Sequence, residues 1–430
     1  MSHIPEIELQ SAAAIKRYQE EKLETALTYL ATHSPFYKKK FDAHRVDIQA
    51  IRSLEDLATL PTTTKDDFQQ HNWDFLCVPR ERIAEYTSTS GTLGSPVIVA
   101  LTENDLQRLA YNEAISFACA DGSSNDLYQL MLTLDRQFMA GIAYYQGIHK
   151  LGAGLIRVGP GLPAMQWETI QRLKPTVLVG VPSFIVKLIE YAREHRIDLE
   201  QCSIQRAICI GESLRTADLQ YNALGKKIVD AWDLKLYSTY ASTEMQTAFT
   251  ECGQGNGGHH HPELIILEVL DANDKSVKPG EVGEVTITTL GVEAMPLLRY
   301  KTGDMAAAFH ETCSCGRTTV RLGPVIGRKQ QMIKLKGTTL YPPGIFEILN
   351  QVEGVVDYAV EAVTGELGTD ELNLHILAVE EQKEKTADRL RAAFQSRLRV
   401  VPTILFSTPP ALEKLQHAGR KIKKFIDSRK

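Results

Sequence analysis

Between Tyr128 and Met245 the chain alternates short apolar, β-branched runs with amphipathic stretches, and this rhythm limits the fold more than any other feature. YQLMLTL (128–134), the centre of GAGLIRVGPG, TVLVGV (176–181), RAICI (206–210) and KLYSTYA (235–241) read as strands. LPAMQWETIQRLK and PSFIVKLIEYAREH read as helices between them. Such an order argues for an α/β core with much parallel pairing. In these sheets ligands sit beyond the carboxyl ends of the strands. The polar turns GVPS, IGES and YASTE all fall at such ends.

The texture changes on either side. LIILEVLDANDKSVKPGEVGEVTITTL (264–290) reads as β-hairpins around a Lys-Pro-Gly turn. Beyond it, FEILNQVEGVVDYAVEAV, ELNLHILAV, a charged helix at 383–398 and TILFST give the order αββαβ. The expected fold class is therefore α/β. It has a large N-terminal α/β domain (1–327) with mixed sheets and a small β subdomain, plus a small α+β C-terminal domain (328–430). GRKQQMIKLKG (327–337) is the hinge candidate. Upstream, residues 8–32 are helical in pattern, Ser34-Pro35 punctuates, and Thr102 or Asn104 can cap the helix that follows. SLEDLATLPTTTKDDF reads as a capped helix, a break and a second helix start, with packing and solvated surface as its expected use.

Several function classes are disfavoured. A net charge of −5 lacks the basic footprint of a nucleic-acid partner. No apolar run approaches the ~18–20 residues of a membrane helix. MSHIPEIELQ has neither a basic nor an apolar leader region, and seven cysteines are an odd set, so a cytoplasmic location is expected.

The chemistry concentrates in four places. TSTSGTLGSP (87–96) joins two strand-like runs, and its glycines and hydroxyls suit a polyanion, as they would also suit an ordinary polar turn. Glu244, after Ser242 and Thr243, is a carboxylate of the kind that holds Mg²⁺ beside phosphate. Tyr240 can offer a ring face to a base, and Asp304 in YKTGD can accept from both hydroxyls of a ribose. Lys421, in the terminal HAGRKIKKF, can neutralise phosphate charge or merely be solvated. Separately, Cys252, His259 and Cys313-x-Cys315 form a Cys₃His set, a common structural Zn²⁺ complement, with His260 and His261 competing for the histidine's role.

TSTSGTLGSP, YASTE, RYKTGD, GRKQQMIKLKG-TTLYP and RKIKK stand in an order and spacing that resembles the adenylate-forming superfamily of acyl-CoA ligases. Within it the chain looks most like the phenylacetate–CoA ligase family, sharing its EC…H…CxCGRT insertion (about 252–315). The resemblance runs from about Ile15 to the end. It implies that Ser88, Thr89, Ser90, Gly91, Thr92 and Gly94 hold the β- and γ-phosphates of ATP. It implies that Gly211 and Glu212 line the adenine pocket, and that Tyr240 stacks on the base within the Tyr240-Ala241-Ser242-Thr243 nucleotide strand. Thr243 would contact the α-phosphate, Glu244 would bind Mg²⁺, and Asp304 would hold the ribose with Arg328 nearby. Lys421 would act in adenylation, with Lys423 as second choice. Cys252, His259, Cys313 and Cys315 would hold a structural zinc, His259 matching the family histidine.

The same resemblance implies an AMP-forming ligase. ATP and a carboxylic acid, aromatic in the parent family, would give an acyl-adenylate, and after movement of the C-terminal domain CoA would take the acyl group as a thioester. Small-molecule acid, ATP and CoA are the expected partners, with no nucleic acid and no membrane; a homodimer stays open. There are departures: Ser95 stands where the family loop carries lysine, and Lys329, Gln330 and Gln331 replace acidic hinge residues. They keep two alternatives in view: an adenylating enzyme with a carrier-thiol or phenolic, deazaflavin-type acceptor, and a nucleotide-binding protein without catalysis. Tyr128, Phe138, Gly141, Ala143, Tyr144 and Val181 to Ser183 could line the acyl pocket, with plain core packing the more expected use of each; Gly141 and Ala143 would leave room for a flat ring or let the helix pack closely.

Overall fold

The computed structural model describes residues 4–89, 97–335, 338–365, 369–416 and 423–429. It divides into two compact units, Met1–Val325 and Ile326–Lys430.

The first unit is built on the parallel strands β3 (Leu127–Leu130), β4 (Gly154–Arg157), β5 (Val177–Gly180), β6 (Arg206–Cys209) and β7 (Lys235–Ser242), in the order β7-β6-β5-β3-β4. The central strands β3, β5 and β6 are buried on both faces because helices cover both sides. Leu178, Ala207 and Cys209 pack with Trp167 and Ile170 of α6 (Pro163–Leu173), Ile185 and Leu188 of α7 (Pro182–Glu194), and Ile228 of α8 (Ala223–Val229). The alternate residues Val177, Val179 and Ile208 pack with Phe117 of α4 (Glu103–Cys119) and Tyr144, Ile148 and Leu151 of α5 (Met139–Leu151). Each large side chain so buried contributes roughly 1.5–3 kcal/mol. Trp167 also satisfies its ring N–H on Leu188 O, 3.0 Å away.

Antiparallel strands continue the sheet beyond β7. They are β8 (Thr247–Glu251), β9 (Gly258–His259), β13 (Arg321–Leu322), β12 (Tyr300–Phe309), β11 (Val282–Thr289) and β10 (Ile265–Leu270), in that spatial order. The hairpin region read from 264–290 is thus joined edge to edge to the parallel strands. A separate hairpin pairs β1 (Ile83–Ser88) with β2 (Ile98–Thr102). Thr102 then caps α4 in a capping box with Asp105. N-terminally, α1 (Ala12–His33) is capped by Ser11. Ser34 caps α2 (Pro35–His44), with proline in the first turn where no N–H is needed. The short α3 (Lys65–Gln70) starts from a Thr64–Asp67 capping box.

The second unit is α+β. Its four-stranded sheet runs Thr403–Phe406, Asp370–Ala378, Val355–Thr364, Phe425–Asp427. Helices Pro342–Gln351 and Lys383–Leu398 bury Ile345, Leu349, Leu390 and Phe394 against Val360, Leu374 and Ile376. Among the described residues no helix is long and apolar enough to cross a membrane.

Candidate functional site

At the carboxyl end of β7 the chain leaves the sheet through a tight turn. Ser242 spends its hydroxyl on Met245 N–H (3.3 Å), and its carbonyl accepts from Gln246 N–H (3.2 Å). Gln246 adopts a positive φ of 50°. The buried Arg108 of α4 holds the turn from behind, donating to Gln246 O at 2.7 Å and to Leu264 O at 2.6 Å. Burial pushes its guanidinium down to about 10, still charged at neutral pH. Thr243 is left half-buried and Glu244 buried, while Ala241 is exposed.

Tyr240 and Asp304 meet across this end of the sheet. The tyrosine hydroxyl donates to Asp304 Oδ2 at 2.8 Å. Burial, then the charge of Asp304, push the phenol up, so it stays a donor. Tyr300 is raised by burial and by the charges of Glu244 and Asp304. Lys65 Nζ lies 3.6 Å from Glu244 Oε1. Tyr240, Glu244 and Asp304 are therefore gathered in one polar cluster with a cation that the sequence reading left in a packing segment.

The other nucleotide candidates fall in several places. Ser88 ends β1 and donates its N–H to Gln137 O at 2.9 Å. Thr89 closes the base of the loop: its N–H meets Val97 O and its hydroxyl accepts from Val97 N–H, both at 3.0 Å. Ser90, Gly91, Thr92, Gly94 and Ser95 lie outside the described residues. Gly211 is exposed with a φ of 75°, a conformation that suits glycine. Glu212 accepts from both the N–H and the hydroxyl of Ser183 at 2.9 Å, tying the end of β6 to the start of α7. Arg328 lies in the two-residue strand Gly327–Arg328 that opens the second unit. Lys421 is outside the described residues, and Lys423 donates its N–H to Gln416 O at 2.9 Å.

The cysteine and histidine set comes together. The ligand atoms of Cys252, His259, Cys313 and Cys315 all lie within 4.8 Å of one another. Cys252 Sγ and Cys313 Sγ are 3.7 Å apart, and Cys315 Sγ is 3.5 Å from His259 Nε2. Thr319 Oγ1 engages the other ring nitrogen at 3.0 Å. Burial and then Arg317 push His259 down to about 3, so the imidazole is neutral, as a metal ligand requires. Burial would raise the Cys315 thiol, yet the Arg317 N–H groups and the neighbouring thiols outweigh it and hold Cys315 below its ordinary range. The competing histidines have other work. His261 Nδ1 is 2.6 Å from Glu8 Oε1, and His260 Nε2 is 3.2 Å from Gln19 Nε2.

Of the acyl-pocket candidates, several take the core-packing use. Tyr128 and Tyr144 belong to the core with Phe117, and Ala143 is buried. There is no ring-sized space at Gly141: a Cβ there would stand 2.1 Å from Thr133 O, so the glycine serves close packing. Phe138 and Ser183 remain exposed, with Val181 half-buried.

Residues 18–294 match the AMP-binding enzyme family. The chain belongs to that family. Among its curated relatives, the phenylacetate-coenzyme A ligase of Thermus thermophilus is 32% identical over 87% of this chain and 84% of its own. That of Aromatoleum evansii is 27% identical over 98% and 96%. This places the AMP-binding chain in the phenylacetate–CoA ligase-like branch of the adenylate-forming enzymes. Among solved structures, 2-hydroxyisobutyryl-CoA ligase superposes with a TM-score of 0.84 over 99% of this chain and 93% of its own, at 24% identity, which speaks to the fold.

Proposed function

We propose that this chain is an AMP-forming carboxylic acid–CoA ligase acting on an aryl acid. The observation that carries the reading is the Tyr240–Asp304–Glu244 cluster at the strand ends of an AMP-binding enzyme; the names of its relatives supply CoA and the aryl acid. Asp304 receives the ribose hydroxyls, Tyr240 both orients that carboxylate and presents its ring to the base, and Thr243 meets the α-phosphate. Glu244 is the carboxylate suited to Mg²⁺, which when bound would neutralise phosphate charge. Ser88, Thr89, Ser90, Gly91, Thr92 and Gly94 are the residues for the β- and γ-phosphates, Gly211 and Glu212 those for the adenine, and Lys421 is the adenylation lysine, with Arg328 as a further nucleotide candidate.

A carboxylate oxygen of the acid attacks the α-phosphorus, and pyrophosphate leaves with the bonding pair. The CoA thiol then attacks the acyl carbon of the adenylate, a C–S bond forms, AMP leaves and the thiol proton passes to solvent. The protein's part in both steps is positioning and charge stabilisation. Free cysteines throughout the described residues suit a cytoplasmic enzyme.

The test is a panel of aryl and alkyl acids with ATP, Mg²⁺ and with or without CoA, read by mass spectrometry. Pyrophosphate that depends on an aryl acid, and a thioester that appears on adding CoA, are expected. Pyrophosphate without any thioester would move the reading to another acceptor. No pyrophosphate with any acid would leave a nucleotide-binding protein.

We further propose that Cys252, His259, Cys313 and Cys315 hold a structural zinc. A tetrahedral site with Zn–S of ~2.3 Å and Zn–N of ~2.0–2.1 Å has S···S edges near ~3.75 Å and S···N edges near ~3.55 Å. The 3.7 Å and 3.5 Å separations match these edges. Four protein ligands leave no open position for catalysis. Metal analysis of purified protein should find about one equivalent of zinc, and its loss in Cys313→Ser is the expected control. Metal-free protein with the four ligands intact would overturn the assignment.

A further inference from the structure

We infer that Lys65 is the cation that meets the nucleotide's phosphates in the first unit, an inference that rests on the ATP-dependent reading of the site. Segment 87–96 contains no lysine or arginine, although it is the stretch proposed to hold the most highly charged part of ATP. Lys65 Nζ lies 3.6 Å from the carboxylate of Glu244, the residue proposed for Mg²⁺.

The chain fixes Lys65 there with unusual thoroughness. Thr63 is fully buried and inserted beside β12: its N–H donates to Arg299 O at 2.9 Å, and its carbonyl accepts from Lys301 N–H at 2.8 Å. Its hydroxyl donates to Leu298 O at 2.8 Å and sits 3.1 Å from the Tyr37 hydroxyl. Thr64 and Asp67 then close a capping box, which sets Lys65 as the first helical residue of α3. The same strand β12 carries Asp304 a few residues on. The ribose candidate and Lys65 are thus referenced to one strand, and Glu244 lies 3.6 Å from the lysine.

The ion pair itself explains little of this construction. It is longer than a hydrogen-bonded pair, and the Lys65 side chain keeps a quarter of its surface exposed. A lysine and a divalent cation compete for one carboxylate, since each compensates its charge. Were Glu244 to hold the metal that accompanies ATP, Lys65 would be released from it to meet the phosphates. Lys65 thereby holds its place beside Glu244, then supplies the cation that segment 87–96 lacks.

The experiment compares Lys65→Met, Lys65→Arg and wild type for binding of Mg·ATP and of adenosine by calorimetry, with thermal melts as the folding control. Lys65→Met should weaken Mg·ATP about tenfold, leave adenosine affinity and the melting temperature unchanged, and be partly rescued by Lys65→Arg. In a Glu244→Gln background, Lys65→Met should weaken Mg·ATP again, because its contact is with phosphate. No further loss in that background, or equal losses for ATP and adenosine, would overturn the inference. Wild-type Mg·ATP affinity in Lys65→Met with adenylation intact would overturn the Lys65 inference alone. A wild-type protein that binds neither Mg·ATP nor adenosine would overturn it together with the ligase reading.

Discussion

Lys421→Ala should lower acid-dependent pyrophosphate release by about 10²–10³-fold, with ATP binding nearly intact. The argument is one of charge. As the acid's carboxylate closes on the α-phosphorus, two anionic groups approach and negative charge builds on the phosphoryl oxygens. Segment 87–96 offers hydroxyls and backbone but no cation. The terminal HAGRKIKKF supplies four cations in five residues, and Lys421 is the residue proposed to bridge the acid and the α-phosphate. An interaction made mainly in the transition state lowers kcat when removed, without loosening the ground state. Three measurements separate this from damage to the fold. ATP affinity should hold, turnover of supplied acyl-adenylate with CoA should hold, and Lys423→Ala should release pyrophosphate at close to the wild-type rate. If Lys423→Ala lost adenylation and Lys421→Ala kept it, the role would pass to Lys423.

Local features were the ones a sequence could carry. The strands β5 and β6 are legible because helices on both faces demand apolar residues on both sides of the strand, as in VLVG and the AIC of RAIC. The cap at Thr102 is legible because its capping-box partner is three residues away. Tyr240, Glu244 and Asp304 stand out as polar groups at strand ends, and the structure gathers them although they come from distant segments. Contacts of high sequence separation left no such trace. Lys65 is 179 positions from Glu244, in a segment that reads as a helix start and nothing more. The choice among His259, His260 and His261 depends on which rings face Thr319, Gln19 and Glu8, and these partners lie far off in the chain. At Gly141 the sequence reported a small residue, which serves a cavity or a close approach equally well; the Thr133 carbonyl decides for close approach.

Glu8→Ala should destabilise the first unit by about 3–5 kcal/mol, the largest stability loss expected from any single side chain near the cysteine cluster. Glu8 is fully buried in a short N-terminal helical turn, Glu6–Leu9. One carboxylate oxygen accepts from Arg317 Nε at 2.7 Å, and the other lies 2.6 Å from His261 Nδ1. An ionised carboxylate can only accept, so Nδ1 carries a proton toward it, and Nε2 lies 3.0 Å from the Ser116 hydroxyl. Arg317 in turn directs a guanidinium N–H toward Cys315 Sγ at 3.6 Å. Alanine at position 8 would leave that guanidinium buried with its main counter-charge gone, which costs more than the pair itself contributes. Burial raises the Glu8 carboxyl, but His261 and Arg317 outweigh it and hold it below the ordinary 4.5. A depressed carboxyl stabilises the fold above its unfolded value and loses that contribution as pH falls through the folded value. Wild type should therefore lose stability below pH 4.5 more steeply than Glu8→Ala does. Glu8→Gln, which retains an acceptor, should fall between the two at neutral pH. Denaturant melts at pH 7 and pH 4 test both points, and zinc release to a chelator should be faster in Glu8→Ala, because Cys315 loses its fixed neighbour. An unchanged midpoint at pH 7 would show that Arg317 finds another partner and that the N-terminal turn is not what holds the cluster in place.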